Sequence, residues 1–247
     1  MNNIIKIKNL SFAYKRGINI LDEVFLEFSE GRIIVLLGKN GSGKSTLLDC
    51  ILGMNNFSGE VSIDGKNLRE YSYRDLAKVV SYIPQNLQVN FDYKVRDFIS
   101  FGLNPNLPAF KKLSQEDYDT VFYYAKYCGI SHLLDCTIDK ISGGERQLAF
   151  IARALTQNTK IIVMDEPTAS LDFGNQQKLL RIIKELSKKD KTILFTTHNP
   201  NHLVNLDCDI YVVKDGKVSK IDVLTPEILR DIYGEDFEWR NGVVVFN

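Results

Sequence analysis

Apolar positions along the chain keep two rhythms: short β-branched or alternating runs, which mark strands, and longer stretches with apolar residues every three to four positions, which mark helices. Strand-type runs dominate the first third, over residues 4–12, 20–28, 32–37 and 60–63, the last leading into Asp64-Gly65, a pair suited to a two-residue hairpin turn. Residues 32–37 (RIIVLL) are almost wholly apolar, as a strand buried on both faces requires. A helix over residues 44–52 opens directly after a glycine-rich stretch. After a strand over 79–83 the character changes. Residues from about 87 to 139 read as largely helical, with Ser114-x-x-Asp117 as a capping box ahead of residues 118–127 and Gly129 as the stop. Alternation then returns: helix 143–156, strand 160–164, helix 174–188, strands 192–196 and 210–213. Asp215-Gly216 and Asn241-Gly242 mark two more hairpins, the second pairing residues 237–240 with 243–246. This order predicts an α/β core of parallel strands carrying an inserted helical segment.

Composition narrows the class. With 247 residues, 44% hydrophobic and 25% charged, the chain can bury a substantial core as one α/β domain with room for a smaller subdomain. Its 31 basic and 31 acidic residues balance, which argues against a strongly basic nucleic-acid surface. Cys50, Cys128, Cys136 and Cys208 show no Cys-x-x-Cys spacing, so they are expected to be reduced structural thiols in a cytosolic protein. The start reads as a strand, not as a signal peptide's apolar core, and the longest apolar runs are far too short to cross a bilayer. If the chain works at a membrane, another subunit must provide the passage.

The chemistry concentrates at Gly38-Lys39-Asn40-Gly41-Ser42-Gly43-Lys44-Ser45, which matches the phosphate-binding loop pattern between a buried strand and a helix. Backbone N–H groups over residues 41–46, ending at Thr46, can converge on phosphate oxygens at that helix N-terminus. Lys44 can reach the β and γ phosphates, and the Ser45 hydroxyl can ligate Mg²⁺. A mere glycine-rich turn would leave Lys44 and Ser45 unexplained. Further on, the strand ending at Met164 is followed by Asp165-Glu166, two carboxylates at the edge where an open α/β sheet places its ligands. Asp165 is suited to hold Mg²⁺ directly or through water, and Glu166 to polarise the water that attacks a γ phosphate. His198 ends another core strand on the same type of edge. His198 and His202 have metal-like spacing, but Pro200 between them argues against a shared helical face.

At this point the chain resembles the nucleotide-binding subunit of an ATP-binding cassette (ABC) transporter over nearly its whole length. Ile141-Ser142-Gly143-Gly144-Glu145 is similar to the family's signature sequence, with Ile141 where leucine is usual. The resemblance implies a P-loop NTPase core of largely parallel sheet, an N-terminal antiparallel β subdomain and an inserted helical subdomain at about residues 87–157, all within a single domain spanning 1–247. It also implies that Ser142, Gly143, Gly144 and Glu145 act across a head-to-tail homodimer, each ATP lying between one protomer's P-loop (Gly38, Asn40, Gly41, Ser42, Gly43, Lys44, Ser45, Thr46) and its partner's signature. Tyr14 matches the aromatic that stacks on adenine, the alternative being a core tyrosine at a strand end. Gln85 matches the glutamine that senses Mg²⁺ and water. Asp172, in Ser170-Leu171-Asp172, matches the segment that crosses the dimer interface, and by itself reads as a helix N-cap. His198 matches the histidine that contacts the γ phosphate. The implied catalytic set is therefore Glu166, His198 and Gln85, with Ser45, Gln85 and Asp165 toward Mg²⁺.

Within the family, the compact chain, the stretch running from Val95 to Pro105, and the tail from Leu224 to Gly234 resemble importers of metal chelates. The residues from Thr197 to Asn201 lean toward the subset that carries molybdate or tungstate. The implied protein is a Mg²⁺-dependent ATPase peripheral to the cytoplasmic face of the membrane. Its implied partners are permease subunits and, indirectly, an extracytoplasmic solute-binding protein, with no nucleic acid. Residues 85–101 are the candidates for receiving the permease, with Phe91, Tyr93 and Phe98 as apolar anchors or, equally, as core. A soluble ABC-type ATPase of translation or DNA repair is one alternative, and a non-hydrolysing nucleotide-binding module is another.

Overall fold

A computed structural model describes residues 2–15, 17–87, 92–108, 112–204, 206–234, 237–240 and 243–246. The chain runs β1 (Asn3–Phe12), β2 (Leu21–Ser29), β3 (Ile33–Leu37), α1 (Lys44–Ile51), β4 (Ser58–Ile63), β5 (Lys66–Asn67), α2 (Tyr73–Val79) and β6 (Val80–Ile83). It continues through α3 (Val95–Ser100), α4 (Gln115–Tyr127), α5 (Gly143–Thr156), β7 (Ile161–Met164), α6 (Phe173–Ser187) and β8 (Thr192–Thr197). The last elements are β9 (Cys208–Lys214), β10 (Lys217–Ile221), α7 (Pro226–Tyr233), β11 (Phe237–Arg240) and β12 (Val243–Phe246). Two compact units result, one of Met1–Tyr71 with Ile182–Asn247 and one of Ser72–Arg181.

In the first unit an antiparallel sheet, β2-β1-β4-β5, accompanies a parallel set in which β3 lies between β8 and β9, with β10 antiparallel on the outer side of β9. The reason is legible in burial. Strand β2 alternates buried and open positions, as a half-covered antiparallel strand does, whereas β3 and β8 are buried at every residue. Both Asp-Gly turns form as expected, with Asp64 at φ 49°, Gly65 at 77°, Asp215 at 48° and Gly216 at 75°. The core is tied across its layers by Tyr211, which packs edge-on against Phe28 at 4.9 Å and donates to the Glu27 carbonyl at 3.0 Å. The hairpin β11–β12 pairs in the predicted register, Arg240 opposite Val243; its turn lies outside the described residues.

The second unit holds the parallel pair β6–β7 and the helices α2 to α5. The Ser114 capping box is present, Ser114 accepting from the Asp117 N–H at 3.3 Å and donating its own N–H to the Asp117 carboxylate at 2.7 Å. Gly129 ends α4 at φ 70°, and the Ile130 N–H reaches back to the Ala125 carbonyl at 2.8 Å. Two helices escaped the sequence pattern, α7 and α2. None of α2 is buried, so it has no apolar periodicity, and the expected strand start at Val79 is this helix's last residue.

All four cysteines are free thiols; burial pushes Cys50 and Cys128 up to about 12, while Cys136 is exposed and so is no part of the core.

Candidate active site

In the first unit, β3 ends at Leu37 and the chain turns through the glycines into α1. A Cβ on Gly38 would lie 2.5 Å from the Val213 carbonyl oxygen, so no side chain fits there. Gly43 is the N-cap of α1 at φ 100°, a left-handed position that disfavours every other residue. The helix has no side-chain cap and no acidic residue in its first turn, which leaves its first N–H groups for an anion. Lys44 is buried, and its ammonium donates to the carbonyls of Gly38 and Lys39, both at 2.9 Å. The Ser42 Oγ is buried with no hydrogen-bond partner among the described residues, while Lys39, Asn40 and Gly41 stand exposed. A loop that presents a cation, open amides and an orphan hydroxyl is built for phosphate.

Tyr14 is 65% exposed, held edge-on to Phe12 at 4.8 Å, with its hydroxyl 3.3 Å from the Thr46 Oγ1. That exposure excludes the core-tyrosine alternative and leaves a ring face open to stack on a base. A cavity of about 360 Å³ borders the loop, lined by Lys39 to Ser42, the β9–β10 turn, and Asp231 and Ile232 of α7. His198 follows β8 and is exposed, whereas His202 is buried with its Nδ1 2.8 Å from the Thr197 Oγ1. The two rings therefore occupy different surroundings. Among the described residues no group of three or more His, Cys, Asp or Glu is placed to hold a metal.

The second unit carries the carboxylates. Strand β7 is wholly buried, and the Asp165 N–H extends its ladder to the Ile83 carbonyl at 2.9 Å. Glu166 then takes φ 43°, a left-handed conformation that costs a non-glycine residue roughly 1–2 kcal/mol. This bend re-aims the chain directly after the strand. Asp165 and Glu166 are 4% and 8% exposed, and the Gln85 Nε2 lies 3.5 Å from the Glu166 Oε2. Two polar residues separated by 81 positions are thus brought together.

Ser142 and Gly143 are exposed at the N-terminus of α5. Here the structure adds a contact that the motif reading overlooked. Glu145 accepts from the Ser142 N–H at 2.9 Å and from its hydroxyl at 2.8 Å, while its own N–H donates to the Ser142 Oγ at 3.3 Å. The pair is a capping box, and those hydrogen bonds from Ser142 lower the Glu145 carboxyl below its ordinary range. The Ser-x-x-Glu spacing carried this signal. Asp172 caps α6, accepting from the Asn175 N–H at 2.8 Å. Gln176 holds the preceding loop through the carbonyls of Thr168 at 3.3 Å and Leu171 at 3.0 Å.

Of the two readings open for Phe98, anchor or core, the packing selects the second. Phe98 is 5% exposed and packs on Phe150 at 4.6 Å, with the Arg153 guanidinium 5.3 Å over one ring and 5.2 Å over the other. It is core. Tyr93 is 38% exposed and meets Phe101 edge-on at 4.9 Å; Phe91 lies outside the described residues.

Comparison with known proteins agrees with this geometry. Residues 21–169 match the ABC transporter family. The chain is 31% identical over 242 residues to the iron(3+)-hydroxamate import ATP-binding protein of Bacillus subtilis, covering 96% of this chain and 90% of that one. It is 33% identical over 205 residues to the molybdate import ATP-binding protein of Haemophilus influenzae, covering 83% and 76%. Among solved structures, an inward-facing metal-chelate type ABC transporter superposes with a TM-score of 0.81 at 28% identity, over 99% of this chain and 96% of that one. A bacterial ABC transporter cassette solved as a dimer gives 0.80 at 27% identity, over 89% and 100%. The chain belongs to the ABC transporter family, as an ATP-binding subunit that hydrolyses ATP to drive transport.

Proposed function

We propose that this chain powers a membrane importer for a metal chelate or a related oxyanion, working as a head-to-tail homodimer on the cytoplasmic face beneath separate permease subunits. The whole chain 1–247 acts as a single ABC ATPase domain, its helical subdomain at about residues 87–157. The observation that carries the reading is the α5 terminus, where Ser142 and Gly143 stand exposed and the first two helical amides, of Gly143 and Gly144, have no intrahelical acceptor, in a chain whose P-loop is already complete. A second protomer is the natural occupant. No helix among the described residues is long and apolar enough to cross a membrane, so in this reading the passage belongs to the permease, served by an extracytoplasmic binding protein. Relatives named for iron(3+)-hydroxamate and for molybdate import support the solute class.

Each unit carries residues to which the reading assigns a role. From the first, Lys44 and the α1 amides hold the phosphates, Tyr14 stacks on the adenine, and His198 contacts the γ phosphate. From the second, Glu166 takes a proton from the attacking water, with Gln85 at 3.5 Å orienting its carboxylate. Ser45, Gln85 and Asp165 offer a hydroxyl, an amide and a carboxylate, the hard oxygen donors that suit Mg²⁺. When bound, Mg²⁺ neutralises phosphate charge as the γ phosphoryl departs.

The test combines hydrolysis and assembly. Glu166→Gln is expected to keep ATP binding while phosphate release falls by roughly two to four orders of magnitude. With ATP and Mg²⁺ the same variant should form a two-fold dimer in light scattering, and adding Ser142→Arg should abolish it by filling the shared pocket. Near-wild-type phosphate release would remove Glu166 as base; an unchanged dimer in the double variant would end the sandwich arrangement.

A further inference from the structure

His198 is exposed at the end of β8, so the position of its imidazole depends on the turn that carries it. Part of that turn is held from within. The Thr197 Oγ1 accepts the Asn199 N–H at 3.0 Å and sits 2.8 Å from the His202 Nδ1, and the Asn199 side chain accepts the Asn201 N–H at 3.0 Å. The rest is held from the C-terminal segment. The Tyr233 hydroxyl, at the end of α7, donates to the His198 carbonyl at 2.7 Å. Three residues along, the Asn201 side-chain amide donates to the Val244 carbonyl and accepts the Val244 N–H, both at 2.8 Å, pairing with β12 as a strand backbone would.

These anchors are themselves fixed. Val244 is 4% exposed, and Leu229 and Ile232 seat α7 at 0% and 4%. Asp231 of α7 forms an ion pair with Lys214 at the end of β9. The C-terminal segment therefore grips both ends of a four-residue stretch beginning at the histidine.

We propose that Tyr233 and Asn201 are positioning residues for ATP hydrolysis, through which α7 and the β11–β12 hairpin hold His198 in its working place. This rests on the reading of His198 as the γ-phosphate contact. Holding a reacting group in place affects the chemical step more than binding, because misplacement raises the barrier while leaving the phosphate loop intact.

The test uses the full-length chain. Tyr233→Phe, which loses one hydroxyl, and Asn201→Ala should each lower kcat about three- to tenfold while ATP affinity stays within about twofold. In a His198→Ala background neither should lower kcat further, since residues acting through one group are not additive. Amide exchange over residues 198–203 should quicken in both single variants. Unchanged exchange, or the same fractional loss of kcat with and without His198, overturns the brace and leaves the histidine's own role standing. Full activity in His198→Ala alone instead removes the histidine from the chemistry, and the brace with it.

Discussion

At the scale of residues, this protein places its chemistry where local rules are bent. Glu166 sits at φ 43° and Gly43 at 100°, each directly after or before a regular element, so a carboxylate and a row of amides are aimed away from the run of the chain. Lys44 is buried yet keeps its charge satisfied on two carbonyls, which under the proposed function it exchanges for phosphate oxygens. Glu145 supplies a pH signature. Its folded pKa is lowered by Ser142, so its contribution is present above the ordinary carboxylate range and is lost as pH falls through the lowered value. Glu145→Gln, which still caps but carries no charge, should therefore be less stable than wild type at neutral pH. The gap should be no more than about 1 kcal/mol, because the pair is open to water. Urea unfolding at neutral and at acid pH should show this gap closing in acid. A gap of equal size at both would mean that Ser142 does not hold the carboxylate ionised.

At the scale of elements, the ends matter more than the middles. Helix α4 stops at Gly129, which takes φ 70°, and glycine suits the position because a Cβ would collide with the Lys178 Nζ, which donates to the Cys128 carbonyl at 2.7 Å. Lysine so placed satisfies an orphan carbonyl and complements the helix dipole. Gly129→Ala should cost about 1–2 kcal/mol from the left-handed backbone and a further ~0.3–1 kcal/mol from the displaced ammonium. With Lys178→Met already present only the first cost should remain, a difference readable in a double-mutant cycle of unfolding free energies. Equal costs in both backgrounds would show that the lysine cap contributes nothing.

At the scale of the whole molecule, the residues proposed for hydrolysis differ from those proposed for coupling. Phe98 is core, clamped by Phe150 and Arg153, so of the aromatics expected to meet the permease the described one that keeps an exposed face is Tyr93. Tyr93→Ser should reduce solute uptake in cells by about tenfold or more if it is an interface hot spot, while phosphate release from the isolated subunit stays near wild type. Full uptake would place the permease elsewhere. Loss of both activities with a lowered melting temperature would assign Tyr93 to packing against Phe101.

Much of this was legible without coordinates, for reasons that can be named. Buried parallel strands such as β3 and β8 need continuous apolar runs, Asp-Gly turns need residues that tolerate positive φ, and a phosphate loop needs glycines at set spacings. All three are local constraints, so sequence alone carried them, together with the Ser114 cap, the α5 boundaries and the membership of the ABC transporter family that the ordered motifs implied. Two features that escaped carry local signals, the Ser142–Glu145 capping box and the Thr225-Pro226 start of α7; the others depend on what packs where. Helix α2 buries nothing and has no period to read. Phe98 looks the same in sequence whether it faces a partner or Phe150, because exposure is a property of what packs over it. The pairing of Asn201 with Val244 joins positions 43 residues apart. Only the folded chain decides which polar group meets which across such a gap, since that choice is made by the packing of the core.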